Sequence, residues 1–200
     1  MPSVNRRDLL KRAGAAIIPA AILGPRLAAM GIPRQPGTSR IAAVVYDERY
    51  SDCRSFADIL VRQGATAFAV NGDCGGLWHR TLRDALARWG SVAGLTMDSD
   101  FVVSRACGRE VSLGVAYEGA HDGRGSSYIT HQLQSRAYQH EIAAALGSDH
   151  ASWAEALAHS LVRAMARDGA AIFRGPVSLQ TPRSSGHPGY LTSWLLEKSV

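Results

Sequence analysis

Four short stretches of this chain place acidic side chains directly after an apolar run. They are Asp47-Glu48, the segment Asn71 to Gly76 with Asp73 inside it, Asp98-Ser99-Asp100, and Glu118 followed by His121-Asp122. Carboxylate oxygens grouped in this way suit Mg²⁺ or Ca²⁺, and a histidine beside them also admits Zn²⁺ or Mn²⁺. Asp47, Asp98, Asp100 and His121 are thus the candidate metal ligands and the candidate hydrolytic groups. The plainer reading of the same residues is capping, because an Asp after a strand hydrogen-bonds its own turn or the first turn of the next helix. The spacing leaves both open.

A second candidate is the loop Gly119 to Tyr128 (GAHDGRGSSY). Its backbone N–H groups, with Arg124, Ser126 and Ser127, can hold an anion such as phosphate or carboxylate if a helix opens after it. It lacks the Gly-Lys-Ser/Thr ending of a phosphate-binding loop and is not G-x-G-x-x-G. No G-x-S-x-G nucleophile elbow occurs, which disfavours an α/β-hydrolase. The ligand-binding candidates are therefore Asp47, Glu48, Asp73, Asp98, Asp100, His121, Asp122, Arg124 and Ser126.

Five of the seven histidines fall at 121, 131, 140, 150 and 159. On a helix, steps of nine or ten residues turn the side chain by about 180°, so these do not form a helical metal pair. Cys53, Cys74 and Cys107 contain no Cys-x-x-Cys and no haem-attachment pattern. Cys53 and Cys74 follow the first two apolar runs and are the candidate disulfide. That bridge would close a loop of about 20 residues and contribute roughly 3 kcal/mol. A buried, unpaired Cys53 on the apolar stripe with Phe56 and Leu60 is the competing reading.

The elements that must position these residues recur as apolar run, polar turn, amphipathic stretch and glycine. Ile41 to Tyr46, Thr66 to Val70, Ser91 to Thr96 and Val111 to Tyr117 read as strands. Helices are expected from Ser51 or Asp52 to Gln63, along the stripe Trp78, Leu82, Ala85, Leu86 and Trp89, and from Asp98 to Gly108. Two longer helices are expected over 129–146 and 149–168. A short strand is expected at Ala170 to Phe173, then a long loop over 174–189. Tyr190 to Leu196 reads as an edge strand or a docked tail. Nearly all-apolar strands alternating with helices predict an open, mostly parallel α/β sheet of four to five strands, flavodoxin-like or Rossmann-like, covered on both faces.

The 200 residues divide into an export leader at 1–29, a Pro- and Gly-rich linker at 30–39 and one α/β domain at 40–200 with a loop-rich tail at 174–200. The leader carries Arg6, Arg7, Lys11, Arg12 and Arg26, and past it 17 basic residues face 16 acidic ones. The net charge of +5 thus lies mostly in the leader. With no basic run left to track phosphates, nucleic acid is excluded as a partner. The leader has a charged start, an apolar run from Ala13 to Leu23 and small residues at Leu27-Ala28-Ala29, the layout of an export signal rather than a membrane span. Asn5-Arg6-Arg7-Asp8-Leu9-Leu10-Lys11 resembles the twin-arginine (Tat) signal pattern Ser/Thr-Arg-Arg-x-Phe-Leu-Lys, departing at Asn5 and Leu9. The resemblance implies recognition of Arg6 and Arg7 by the Tat machinery, cleavage after Ala29 and transfer into the periplasm in the folded state.

Folded export implies a cofactor or a travelling partner, and the sequence names neither. The functional expectation is an exported α/β binding or accessory protein without its own chemistry, accompanying a larger exported protein. The alternatives are a metal-assisted hydrolase with an acidic site at the strand ends, and a carrier of flavin or nucleotide.

Overall fold

The computed structural model describes residues 41–84, 86, 90–135, 138–148, 152–166, 175–185 and 187–198. Among the described residues seven segments form strands: β1 (Ala43–Asp47), β2 (Thr66–Val70), β3 (Ser91–Thr96), β4 (Leu113–Asp122), β5 (Tyr128–Ser135), β6 (Val177–Pro182) and β7 (Tyr190–Lys198). They build one sheet in the order β2-β1-β3-β7-β4-β5-β6. The helices are α1 (Ser51–Arg62), α2 (Cys74–Leu77, running on into a π-helical turn, Trp78–Leu82), α3 (Asp98–Glu110), α4 (Gln139–Leu146) and α5 (Trp153–Ala166).

The expected open, mostly parallel sheet of four to five strands is overturned. Only β1–β2 and β1–β3 run parallel; β3–β7, β7–β4, β4–β5 and β5–β6 are antiparallel. The correction turns on two segments. Tyr190 to Lys198 is neither an edge strand nor a tail but the central strand, with β3 on one side and β4 on the other. Its six consecutive buried residues, Leu191 to Leu196, need cover on both faces, which only an interior position supplies. The expected helix over 129–146 is a strand followed by a shorter helix, β5 and α4. In β5 the inward positions are Ile129, His131 and Leu133, the period-two alternation of a strand covered on one face.

From residue 41 to residue 110 the elements come in the expected order. Three of these strand and helix segments lie within about a residue of the expected bounds: α1, β2 and β3. Gly64 follows α1 at φ +96° and Gly90 precedes β3 at φ +84°, left-handed positions that favour glycine. β4 runs to Asp122, so the Gly-rich segment shrinks to a hairpin turn at 123–127, and β6 lies inside the expected loop 174–189. The expected strand at 170–173, and the leader and linker at 1–39, lie outside the described residues. Among the described residues no helix is long and apolar enough to cross a membrane.

The sheet is covered on both faces. α1, α4 and α5 pack one side with Phe56, Leu60, Ile142, Leu157 and Leu161 against Tyr117, Ile129, Leu133, Leu191 and Leu195. α2 and α3 cover the other with Trp78, Leu82 and Phe101 against Val45, Val92, Trp194 and Leu196. β7 therefore sends Leu191 and Leu195 to one core and Trp194 and Leu196 to the other. Gly94 on β3 leaves room for the indole of Trp194, against which an added Cβ would collide.

Candidate functional site

β1, β2, β3, β4 and β6 all point the same way, so their C-terminal ends and the N-terminal ends of β5 and β7 share one edge of the sheet. The sequence candidates Asp47, Glu48, Asp73, Asp98, Asp100, His121, Asp122, Arg124 and Ser126 are distributed along that edge. They are not gathered into a metal centre. Among the described residues no three His, Cys, Asp or Glu side chains are grouped to hold a cation. Most of the candidates have an occupation of their own instead.

Asp47 is fully buried, and both carboxylate oxygens are taken by Arg49: Nε to Oδ1 at 2.9 Å and Nη2 to Oδ2 at 2.6 Å, with the Arg49 backbone N–H also donating to Oδ1 at 3.0 Å. Asp122 repeats the arrangement with Arg124 at 2.9, 2.7 and 3.0 Å. The Arg124 side-chain hydrogen bonds hold the Asp122 carboxyl down to about 2. Asp73 caps α2 by accepting from the Gly76 N–H at 2.8 Å and pairs with Arg80 at 3.0 Å. Asp98 accepts from the Thr192 hydroxyl at 3.3 Å; the residue preceding α3 is Met97, so the expected Asp98 cap is not formed. Asp100 is almost buried, and burial, then the nearby Asp47, raises its carboxyl above the usual range. Glu48 is exposed, and its backbone carbonyl accepts from Arg54 at 2.5 Å. Ser126 accepts from the Tyr128 N–H at 3.0 Å inside the hairpin turn. That turn leads into β5, not into a helix, so it lacks the helix N-terminus the anion seat required.

The cysteines do not meet. Cys53 on α1 belongs to one core and Cys74 on α2 to the core on the opposite face of the sheet; both are free and buried. Burial pushes both thiols up, Cys74 to about 11. Cys74 Sγ lies 3.3 Å from the Ser104 hydroxyl, which also accepts from Trp78 Nε1 at 3.0 Å.

What the fold does bring together is His121, and around it a set of residues that sequence reasoning missed. On the face covered by α5, a hydrogen-bonded line crosses β7, β4, β5 and β6. The Tyr117 hydroxyl lies 2.9 Å from Ser193 Oγ, Ser193 Oγ 2.7 Å from His121 Nε2, His121 Nδ1 2.7 Å from His131 Nδ1, and His131 Nε2 2.8 Å from Thr181 Oγ1. Tyr117, His121, His131 and Ser193 have no exposed surface. Gly119 makes room for this line, since a Cβ there would strike the Tyr117 hydroxyl and stand 2.7 Å from Ser193 Oγ. Above it lies Trp153, whose Nε1 donates to Asp52 at 3.1 Å; Ser184 donates to the same carboxylate at 2.7 Å. Burial first, then the neighbouring imidazoles, holds His121 well below 6.5, and burial holds His131 down to about 4.

Serine, histidine and a second histidine in line have the order of nucleophile, base and orienting group. Here Ser193 is sealed under the helix layer, and its oxygen is already engaged by Tyr117 and His121. The line is a satisfied polar core, with each imidazole giving one N–H and accepting at its other nitrogen. The signal for it was in the sequence. A separation of ten positions sets His121 and His131 directly opposite across a hairpin centred on Ser126, whereas on a helix the same spacing separates them.

Comparison with family models, with curated proteins and with solved structures returns no match for this chain.

Proposed function

We propose that this protein is an exported binding or accessory protein that crosses the membrane folded, through the Tat machinery, and accompanies a larger partner in the periplasm. Its seat for that partner is the strand-end edge. The observation that supports the reading is a device used twice. Asp47-x-Arg49 ends β1 and Asp122-x-Arg124 ends β4, each a two-pronged ion pair closed by a backbone N–H from the same arginine. Each arginine also lies over an aromatic ring, Arg49 over Tyr50 at 5.4 Å and Arg124 over Tyr190 at 5.0 Å.

Three strand steps separate β1 from β4, which sets the two clamps about 14 Å apart on a rigid sheet. Both guanidiniums stay substantially exposed, at 44% and 68% of the side chain. Fixed, partly paired arginines give up little conformational freedom on binding and still offer their outer N–H groups, which suits them to carboxylates and carbonyls of a protein surface.

The test is recovery of the tagged full chain from the periplasm, as wild type and as the double variant Arg49→Glu, Arg124→Glu. The reading expects one protein at fixed stoichiometry with wild type and its loss with the variant, both being folded by circular dichroism. Equal recovery with both would overturn the edge as the seat.

A further inference from the structure

His121, His131 and His187 converge on one indole, with ring centroids 4.7, 5.3 and 5.8 Å from that of Trp153. The first two imidazoles are fully buried and the third is 3% exposed. His187 belongs to the strap between β6 and β7. The strap is tied down by Arg183 Nη1 donating to the Gly123 carbonyl at 2.9 Å and by Ser184 donating to Asp52. The Gly189 N–H donates to His187 Nδ1 at 3.0 Å, which puts the ring proton on Nε2. That nitrogen is buried and has no hydrogen-bond partner among the described residues.

We propose that this cluster is an acid-operated latch: protonation of its imidazoles releases the strap and the first turn of α5 from the sheet. The hydrogen-bond geometry supplies the reason. A neutral line is fully paired. One added proton takes the remaining free Nε2 of the pair while the proton already between the two Nδ1 atoms stays shared, leaving a buried cation with no carboxylate hydrogen-bonded to either ring. A second sets two N–H groups against each other across 2.7 Å. On His187 the added proton goes to Nδ1 and displaces the Gly189 N–H that shapes the strap. Opening the strap hydrates all three rings.

The charged and titratable groups facing the cluster do not offset this. β4 brings Tyr117 and Asp122, and Asp122 is already clamped by Arg124. α1 brings Asp52, occupied by Trp153 and Ser184. The strap itself brings Arg183, which opposes a charge on His187, while Asp52 and Asp122 favour it less strongly than burial disfavours it. Among the described residues, Asp52 and Asp122 are the carboxylates that act on the rings, and β5, β6, β7 and α5 add none.

The sign follows from linkage. An imidazole held down near 4 in the closed state and at 6.5 once hydrated binds its proton more readily when open, so opening is favoured as the pH falls from 6.5 toward 4. Between pH 7 and pH 5 one such group raises the opening constant about 20-fold.

Hydrogen exchange of the full folded chain, corrected for the intrinsic pH dependence of exchange, tests the latch. Peptides covering the strap and the start of α5 are expected to exchange at least ~20-fold faster at pH 5 than at pH 7, with β1 and β3 unchanged. His187→Gln, which removes one ring that accepts a single backbone N–H, is expected to cut that ratio; His131→Gln serves as a second variant. A flat ratio in the wild type, an equal rise in every segment, or an undiminished ratio in His187→Gln would overturn the proposal.

Discussion

At the scale of single residues, the polar line under α5 makes the sharpest demands. Among the described residues Ser193 alone joins Tyr117 to His121, so Ser193→Ala leaves two buried polar atoms short of a partner. The expected cost is about 1–3 kcal/mol, read as a lower urea midpoint at unchanged slope. An unchanged midpoint would mean that the line is not sealed from water. Gly94→Ala forces a Cβ into the ring of Trp194 and is expected to destabilise by about 1–3 kcal/mol, because overpacking a core displaces backbone or rotamers. The cysteines give a third expectation. Cys53 and Cys74 lie on opposite faces of the sheet, so thiol titration in denaturant should find all three cysteines reduced and non-reducing thermal stability equal to reducing. A Cys53–Cys74 cross-linked peptide in a digest would contradict the two-faced packing.

At the scale of elements, the amount legible in the sequence depended on how local each signal was. α1, β2 and β3 were readable because an apolar stripe, a helix-ending Gly64 and short β-branched runs are all local cues. β5 was hidden because the polar His131 stands at an inward position and interrupts the apolar alternation, although it faces inward as fully as Ile129 and Leu133 do. β7 was hidden for a different reason. Its run of apolar residues was evident, but pairing with β3 and β4 joins positions about a hundred and about seventy-five residues apart in sequence, and no short-range pattern encodes such a partner. The site followed the same rule: the acidic edge was visible residue by residue, whereas the Tyr117–Ser193–His121–His131 line exists only once β7 lies beside β4. The central place of β7 carries a prediction. A chain truncated before Tyr190 splits the sheet into its parallel and antiparallel halves, and it is expected to lose cooperative thermal unfolding. Retention of a single sharp transition would contradict the topology.

At the scale of the whole molecule, the buried imidazoles tie stability to pH. His121, His131 and His187 are all held below their ordinary value, first by burial. The unfolded chain therefore takes up protons before the folded one does. Their contribution is fully present above about pH 6.5 and declines as the pH falls toward 4. Asp100 and Glu118 have the opposite sign, since burial raises their carboxyls and so favours the folded state in acid. A urea midpoint that falls between pH 7 and pH 5 in the wild type and flattens when His121 or His131 is replaced follows from the histidines outweighing the carboxylates; a midpoint that rises would assign control to the carboxylates.

The reading of the protein as an exported companion is tested most directly by native mass spectrometry of the chain recovered from the periplasm. The account predicts a chain that begins at Met30, with three free thiols, bound to a larger protein at fixed stoichiometry, and release of that protein by Arg49→Glu, Arg124→Glu. A lone monomer in the periplasmic fraction, or no chain in that fraction while the uncleaved chain stays in the cytoplasm, would contradict it.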